Sequence, residues 1–191
     1  MGGIYFMKTY KAKRTGTKVV TGKVRLSYAN LHEAKSINDS EPKFSVSLII
    51  PKTDLDTIKA IKEAVNEAKE FGKEKWNGKI PANLKTPLRD GDEERPDQEE
   101  YADSYFINVN SKKAPELVDL KGNKGLGPDE IYSGCYARVS VNFYGFSVSG
   151  NKGIAAGLGN VQKLDDGKPL GGSAAKAEDD FEFEEDDDFL G

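Results

Sequence analysis

The sequence predicts a mainly β fold with one helix, and three observations carry that reading. Four stretches alternate apolar and polar residues with the period of a strand. One stretch repeats apolar residues at spacings of three and four. The segments between them are polar and broken by Gly and Pro, as loops are.

The first strand falls in residues 18–31 and sets Val20, Val24, Leu26 and Tyr28 on one side. The second, 43–51, does the same with Phe44, Val46, Leu48 and Ile50. The helix follows. Thr53 or Asp54 caps it, and Leu55, Ile58, Ile61, Val65, Ala68 and Phe71 form its apolar stripe, with Gly72 near its end. Residues 83–103 read as a long acidic loop. The third strand, 104–111, turns Tyr105, Ile107 and Val109 inward. Residues 112–132 read as a second loop. The fourth strand, 134–148, turns Cys135, Ala137, Val139, Val141 and Phe143 inward. A fifth, 153–164, is interrupted by glycines that mark a bulge or a close backbone approach. Five short strands with a helix between two of them fit a five-stranded barrel of the OB type with long loops, closed so that its edges are protected. An open α+β sandwich is the alternative. The expected boundaries are a flexible segment over 1–17, the barrel domain over 18–168, and a linker with an acidic tail over 169–191.

Composition narrows the functions. The 191 residues hold one cysteine, which excludes an intramolecular disulfide framework and suits a reducing cytoplasm. No stretch approaches the roughly 20 apolar residues of a bilayer span, so no membrane partner is expected. The net charge of −4 conceals a split. Residues 178–191 carry nine carboxylates and no base, leaving 28 Lys and Arg against 23 Asp and Glu in the rest, a net +5. A basic body with an acidic tail points to a polyanionic partner.

The outward side of the strands says which polyanion. Alternation sends out Lys23, Arg25 and Ser27; Lys43, Ser45 and Ser47; Phe106, Asn108 and Asn110; and Tyr136, Arg138, Ser140, Asn142 and Tyr144. That face has no carboxylate, three aromatic rings, and cations among small polar residues. Rings stack on bases, cations neutralise phosphates, and hydroxyls and amides bond sugars and base edges. Single-stranded nucleic acid, whose bases are free, fits it. Tyr136, Tyr144 and Phe106 are the expected stacking residues. Lys23, Arg25, Lys43, Lys112 and Arg138 are the expected cations, with Lys113, Lys121 and Lys124 as a second track.

Catalysis has little support. The single histidine, His32, is far in sequence from Cys135, so neither a zinc site nor a Cys/His nucleophile is expected, nor any cofactor. A metal-dependent nuclease built on Asp90, Asp92, Glu93 and Glu94 is the enzymatic alternative. A pure adaptor acting through its tail is a third reading. The oligomeric state stays open, a homodimer included.

The sequence resembles the single-stranded DNA-binding proteins of bacteria and phages, most closely a phage-encoded branch. The pieces that carry the resemblance occur in order: "FSVSLIIPKTD" (44–54), "PLRDGDE" (87–93), "IYSGCYARVSV" (131–141), "KGIAAGLGNVQKLDDGKPLGG" (152–172) and the acidic end. The resemblance implies an OB fold, no catalysis, a role in phage DNA replication or recombination in the bacterial cytoplasm, and recruitment of replication or recombination proteins by the tail. Phe181, Phe183, Asp186, Asp187, Asp188, Phe189 and Leu190 are the residues it would present. The chain departs from the usual ending: "DDDFLG" runs two residues past Phe189, where the family tail ends on an aromatic residue.

Overall fold

The computed structural model describes residues 9–36 and 38–170. Its strands are β1 (Lys13–Thr15), β2 (Lys18–Val20), β3 (Val24–Lys35), β4 (Lys43–Pro51), β5 (Arg89–Asp90), β6 (Ser104–Ser111), β7 (Leu117–Val118), β8 (Tyr136–Val148) and β9 (Asn151–Asp165). Its helices are α1 (Leu55–Phe71) and the single turn α2 (Gly91–Glu94). Five of the strands close a ring. β3 pairs with β4, β4 with β6, β6 with β9, β9 with β8, and β8 again with β3. Only the β6–β9 pairing in that ring is parallel. This is the expected barrel, and its interior is filled by the inward residues of the alternating strands, among them Leu26, Leu48, Ile50, Ile107, Val139 and Phe143.

Helix α1 follows β4 directly. Asp54 caps it, accepting the Thr57 N–H at 3.1 Å. Ile58, Ile61, Val65 and Ala68 are buried as the spacing predicts, whereas Leu55 and Phe71, expected in the same stripe, are 72% and 71% exposed. They stand at the two ends of the helix, beyond the width of the barrel it covers. After Gly72 the chain continues through a 3-10 turn that inserts Trp76, 3% exposed, against Gly145. The indole N–H donates to Phe146 O at 3.0 Å.

Several places carry one residue more than their partner strand, and three of them reset which side chains of the barrel wall face the core. Between Val19↔Val141 and Val24↔Ala137 the first segment takes five steps against four. The expected strand over 18–31 is therefore broken at residues 21–23, and Val19, not Val20, is buried. Between Ser27↔Ser47 and Asn30↔Ser45 β3 takes three steps against two. Tyr28 consequently leaves the core side, at φ 48°, and is 55% exposed. Between Val139↔Val161 and Val141↔Leu158 β9 takes three steps against two. That is the bulge its glycines announce: a Cβ on Gly159 would lie 2.2 Å from Ser140 Oγ.

Neither expected loop is featureless. In the first, β5 pairs with β6, and the following turns fold back over the outer wall so that Tyr101 covers Phe106. The rings meet edge to face at 5.2 Å. We call residues 89–103 the cover. Lys52, at the end of β4, pins it through ion pairs to Asp90 (3.0 Å) and Asp92 (2.8 Å), and Asp92 also accepts the Asp103 N–H. In the second loop, β7 pairs parallel to β9. At the N-terminal side, Lys13–Thr15 was expected outside the domain but forms a hairpin with Lys18–Val20. After β9 a strap of residues 166–170 crosses back over Gly134. Leu170 N–H donates to Ser133 O at 3.0 Å, and Tyr132 hydroxyl donates to Asp166 at 2.9 Å.

The cover closes onto the barrel at Gly91, where a Cβ would stand 2.4 Å from Tyr101 O and 2.8 Å from Ser104 O. Both neighbours are backbone and cannot swing aside. Gly91→Ala should therefore cost about 1–3 kcal/mol in denaturant unfolding. It should also open cleavage at Glu99 and Glu100 by a Glu-specific protease. Unchanged stability and protection would show that the cover is not seated through this contact.

Candidate nucleic-acid interface

The extra residue in β3 creates the most accessible ring on the barrel wall. Tyr28 stands at the head of a groove, its hydroxyl donating to Gln98 Oε1 at 3.0 Å and the Arg95 guanidinium 5.1 Å from its ring centroid. The floor is Ser45 and Ser47 of β4 with Asn108 and Asn110 of β6, residues that face outward because their neighbours Val46, Leu48, Ile107 and Val109 are the core. Asn30 donates to Ser45 Oγ at 3.3 Å. Lys35 and Lys43, opposite each other across β3 and β4, stand on the rim. Lys112 closes it by an ion pair to Glu41 at 2.8 Å. The bond between the two holds the Glu41 carboxyl below, and the Lys112 ammonium above, the usual range.

Asn108 and Asn110 also line a trough that continues toward β9, with Lys85 and Arg89 on one side and Ala155 on the other. Gly157, paired with Asn110, and Ala155, paired with Tyr144, are small and leave the wall open. Tyr144 is 41% exposed at the far end, with Lys75 Nζ 5.9 Å from its ring. Rings thus mark both ends of a track around the outer wall, and hydroxyls, amides and lysines lie between them.

Residues 17–190 match the protein family described as Enterobacter phage Enc34, ssDNA-binding protein. The chain belongs to this family. It is 27% identical to the single-stranded DNA-binding protein from bacteriophage Enc34, solved in complex with ssDNA, with a TM-score of 0.68 over 86% of this chain and 99% of that one. Protein p50 of Acyrthosiphon pisum secondary endosymbiont phage 1 is 30% identical over 91% of this chain and 98% of its own. Gp2.5, a single-stranded DNA-binding protein encoded by bacteriophage T7, shares the fold at 13% identity, with a TM-score of 0.54 over 83% of this chain and 97% of that one. The family is one of DNA-binding proteins, not of enzymes.

The structure divides the residues expected to form one face. Lys43 and Lys112 lie on the rim of the groove and Tyr144 at the end of the track. Phe106 is on the outward side as expected but is 1% exposed, because Tyr101 and Arg95 of the cover lie over it. It supports the groove from beneath and offers no stacking surface. Lys23, Arg25 and Tyr136 form a separate cluster, with Lys23 and Arg25 at 4.9 and 5.6 Å from the Tyr136 ring. Their charge is engaged by the chain itself. Lys23 pairs with Asp165 at 2.6 Å, and Arg25 donates to Gly134 O (3.1 Å) and Lys168 O (2.7 Å). Arg138 donates to Thr21 O and Lys11 O, both at 2.9 Å, and stacks near Tyr10. The tail residues from Phe181 to Leu190 lie outside the described residues.

Tyr28, Asn30, Lys35 and Arg95 were not among the expected site residues. A signal for the first existed. The alternation that puts Tyr28 in the core puts Asn30 there too, and a buried amide without a partner is costly enough to argue for a bulge.

Three of the four carboxylates of the nuclease alternative, Asp90, Asp92 and Glu94, are tied down. Lys52 spans Asp90 and Asp92, and its ammonium is raised by those bonds, that to Asp92 foremost. Asp92 is lowered in turn, chiefly by Lys52 and then by the Asp103 N–H. Glu94 pairs with Arg89 at 2.7 Å. Among the described residues no group of three or more His, Cys, Asp or Glu is placed to hold a metal ion, and no helix is long and apolar enough to cross a membrane.

Arg138 follows as a structural residue. Its loss would leave Thr21 O and Lys11 O without their charged donor, and Arg138→Ala should lower stability by about 1.5–3 kcal/mol in denaturant unfolding. An unchanged midpoint would mean that the guanidinium is free for another ligand.

Proposed function

We propose that the chain binds single-stranded DNA without sequence preference along the track from Tyr28 to Tyr144, protecting single strands during phage DNA replication, recombination or repair in the bacterial host cytoplasm. The observation that carries this reading is Tyr28: an exposed ring above a floor of Ser and Asn, with Lys35 and Lys43 beside it. A base stacks on the ring irrespective of its identity, and the lysines meet the flanking phosphates. Membership of a family of single-stranded DNA-binding proteins supports the same reading.

Titrating single- and double-stranded oligonucleotides at two salt concentrations tests it. The chain should favour the single strand. Tyr28→Ala should weaken binding by about 1–3 kcal/mol for every base composition, with little change in melting temperature. Lys43→Ala should instead flatten the slope of log K against log salt by about 0.7. Binding that ignores Tyr28 would move the site elsewhere, with Lys113, Lys121 and Lys124 the next track to test.

The acidic tail competes with DNA for this track and recruits replication or recombination proteins. The support is charge and placement. Every charged side chain in residues 178–191 is acidic, and Leu170, where the described chain ends, packs on the Phe106 cluster and shares a crevice with Tyr28. Deleting 178–191 changes the net charge from −4 to +5. Affinity for single strands should rise at low salt, and the gain should fade toward 1 M salt, where the Debye length is about 3 Å. Phe189→Ala should impair recruitment while leaving DNA affinity nearly intact. A deletion that binds no better at low salt would remove the competition from this account.

A further inference from the structure

A cationic side chain in a single-strand groove is ordinarily assigned to phosphate, and the surroundings of Arg95 argue otherwise. Its guanidinium carbon lies 4.4 Å from the centroid of Phe106, 4.5 Å from that of Tyr101 and 5.1 Å from that of Tyr28. It also donates through Nη1 to the Tyr101 hydroxyl, which donates onward to Ser47 Oγ at 3.2 Å. The side chain is half-buried, its planar cation set against three ring systems and one hydroxyl. Above it, Tyr28 has a left-handed backbone, φ 48°, a conformation that persists in a non-glycine residue only where the surroundings hold it. Asn30, whose amide donates to Tyr28 O at 3.3 Å, and Ser133, which accepts the Ala29 N–H at 2.9 Å, hold the backbone, while two residues of the cover hold the side chain: Arg95 beside the ring and Gln98 on the hydroxyl.

We propose that Arg95 is a positioning residue for single-strand binding: it fixes the Tyr28 ring as a stacking platform and makes no phosphate contact of its own. The inference rests on the reading of Tyr28 as the stacking residue. The cover, held to the barrel by Lys52 and Gly91, thereby sets the geometry of a residue on β3. Lysine cannot replace the arginine here, because a compact ammonium has no planar face to lie against three rings at once.

A double-mutant cycle on the full chain, read by titration with a fluorescent oligothymidylate, tests the proposal. Arg95→Ala should weaken binding by at least about tenfold, comparable to Tyr28→Ala. Arg95→Lys should fail to restore it. Adding Arg95→Ala to Tyr28→Ala should cost nothing further, because the platform it serves is gone. The salt slope of Arg95→Ala should match the parent, in contrast to Lys43→Ala. A slope flattened by about 0.7, or full binding by Arg95→Lys, would make Arg95 a phosphate contact and overturn the proposal. Additive losses in the double variant would also overturn it. Gln98→Ala, which removes the hydroxyl tether and leaves the rings beneath untouched, carries the same cycle should Arg95→Ala melt early. A parent chain that fails to bind single strands would sink the functional reading itself. Binding by the parent with no loss in Tyr28→Ala would sink only the platform and its positioning residue.

Discussion

Five strands close into a ring only if the long ones bend, and in this chain bending is achieved by single extra residues. β8 and β9 run 13 and 15 residues and stay paired with each other out to Val148 and Asn151, besides pairing with β3 and β6 in the barrel. A flat ladder of that length would not return to β3 and β6. The extra residue in β9 near Gly159 bends it against Ser140, and those at residues 21–23 and at Tyr28 bend the strand on the other side of the seam. Each insertion exchanges the inward and outward faces beyond it. The same operation that closes the barrel therefore decides which residues a ligand can reach. Tyr28 faces the groove because β3 is bent there.

The second dependence is electrostatic. A wall that is to meet a polyanion carries across it a cover with numerous carboxylates, which taken alone would repel the ligand. Lys52 and Arg89 answer the acids nearest the barrel, drawing Asp90, Asp92 and Glu94 into ion pairs, and those of Lys52 double as the cover's anchor. The exchange is local. Exposed pairs of this kind contribute little stability one at a time. Their effect here is placement, since the cover seats Tyr101 over Phe106 and brings Arg95 under Tyr28.

Much of this was legible from residue order, and the limits have a common cause. The strands at Lys43–Pro51 and Ser104–Ser111 coincide with the alternation because neither contains an inserted residue. The helix ends where Asp54 and Gly72 predict, but Leu55 and Phe71 show that periodicity cannot tell how far the surface beneath a helix extends. Period-two reasoning carries no information about a one-residue insertion unless a glycine or a misplaced polar residue marks it. Glycines mark it in β9; in β3 only Asn30 does. Sequence alternation placed Phe106 on the correct side of its strand, yet accessibility depended on residues 89–103 folding back over it, a long-range event that no local pattern encodes. Arg25 and Arg138 were assigned by charge and side, and the structure engages both with backbone carbonyls of crossing segments.

The strap of residues 166–170 has a consequence for local concentration. By bonding across Gly134 and Ser133 it delivers the chain, at Leu170, to the cluster of Ile49, Tyr101 and Phe106 beneath the groove. A segment joined covalently at that point and able to bind the groove would do so as an intramolecular ligand, at an effective concentration in the millimolar range for a short tether. A competitor of that kind would not be diluted away. Its occupancy would be independent of protein concentration, and only a ligand that binds the groove more tightly, or salt that screens the attraction, would displace it.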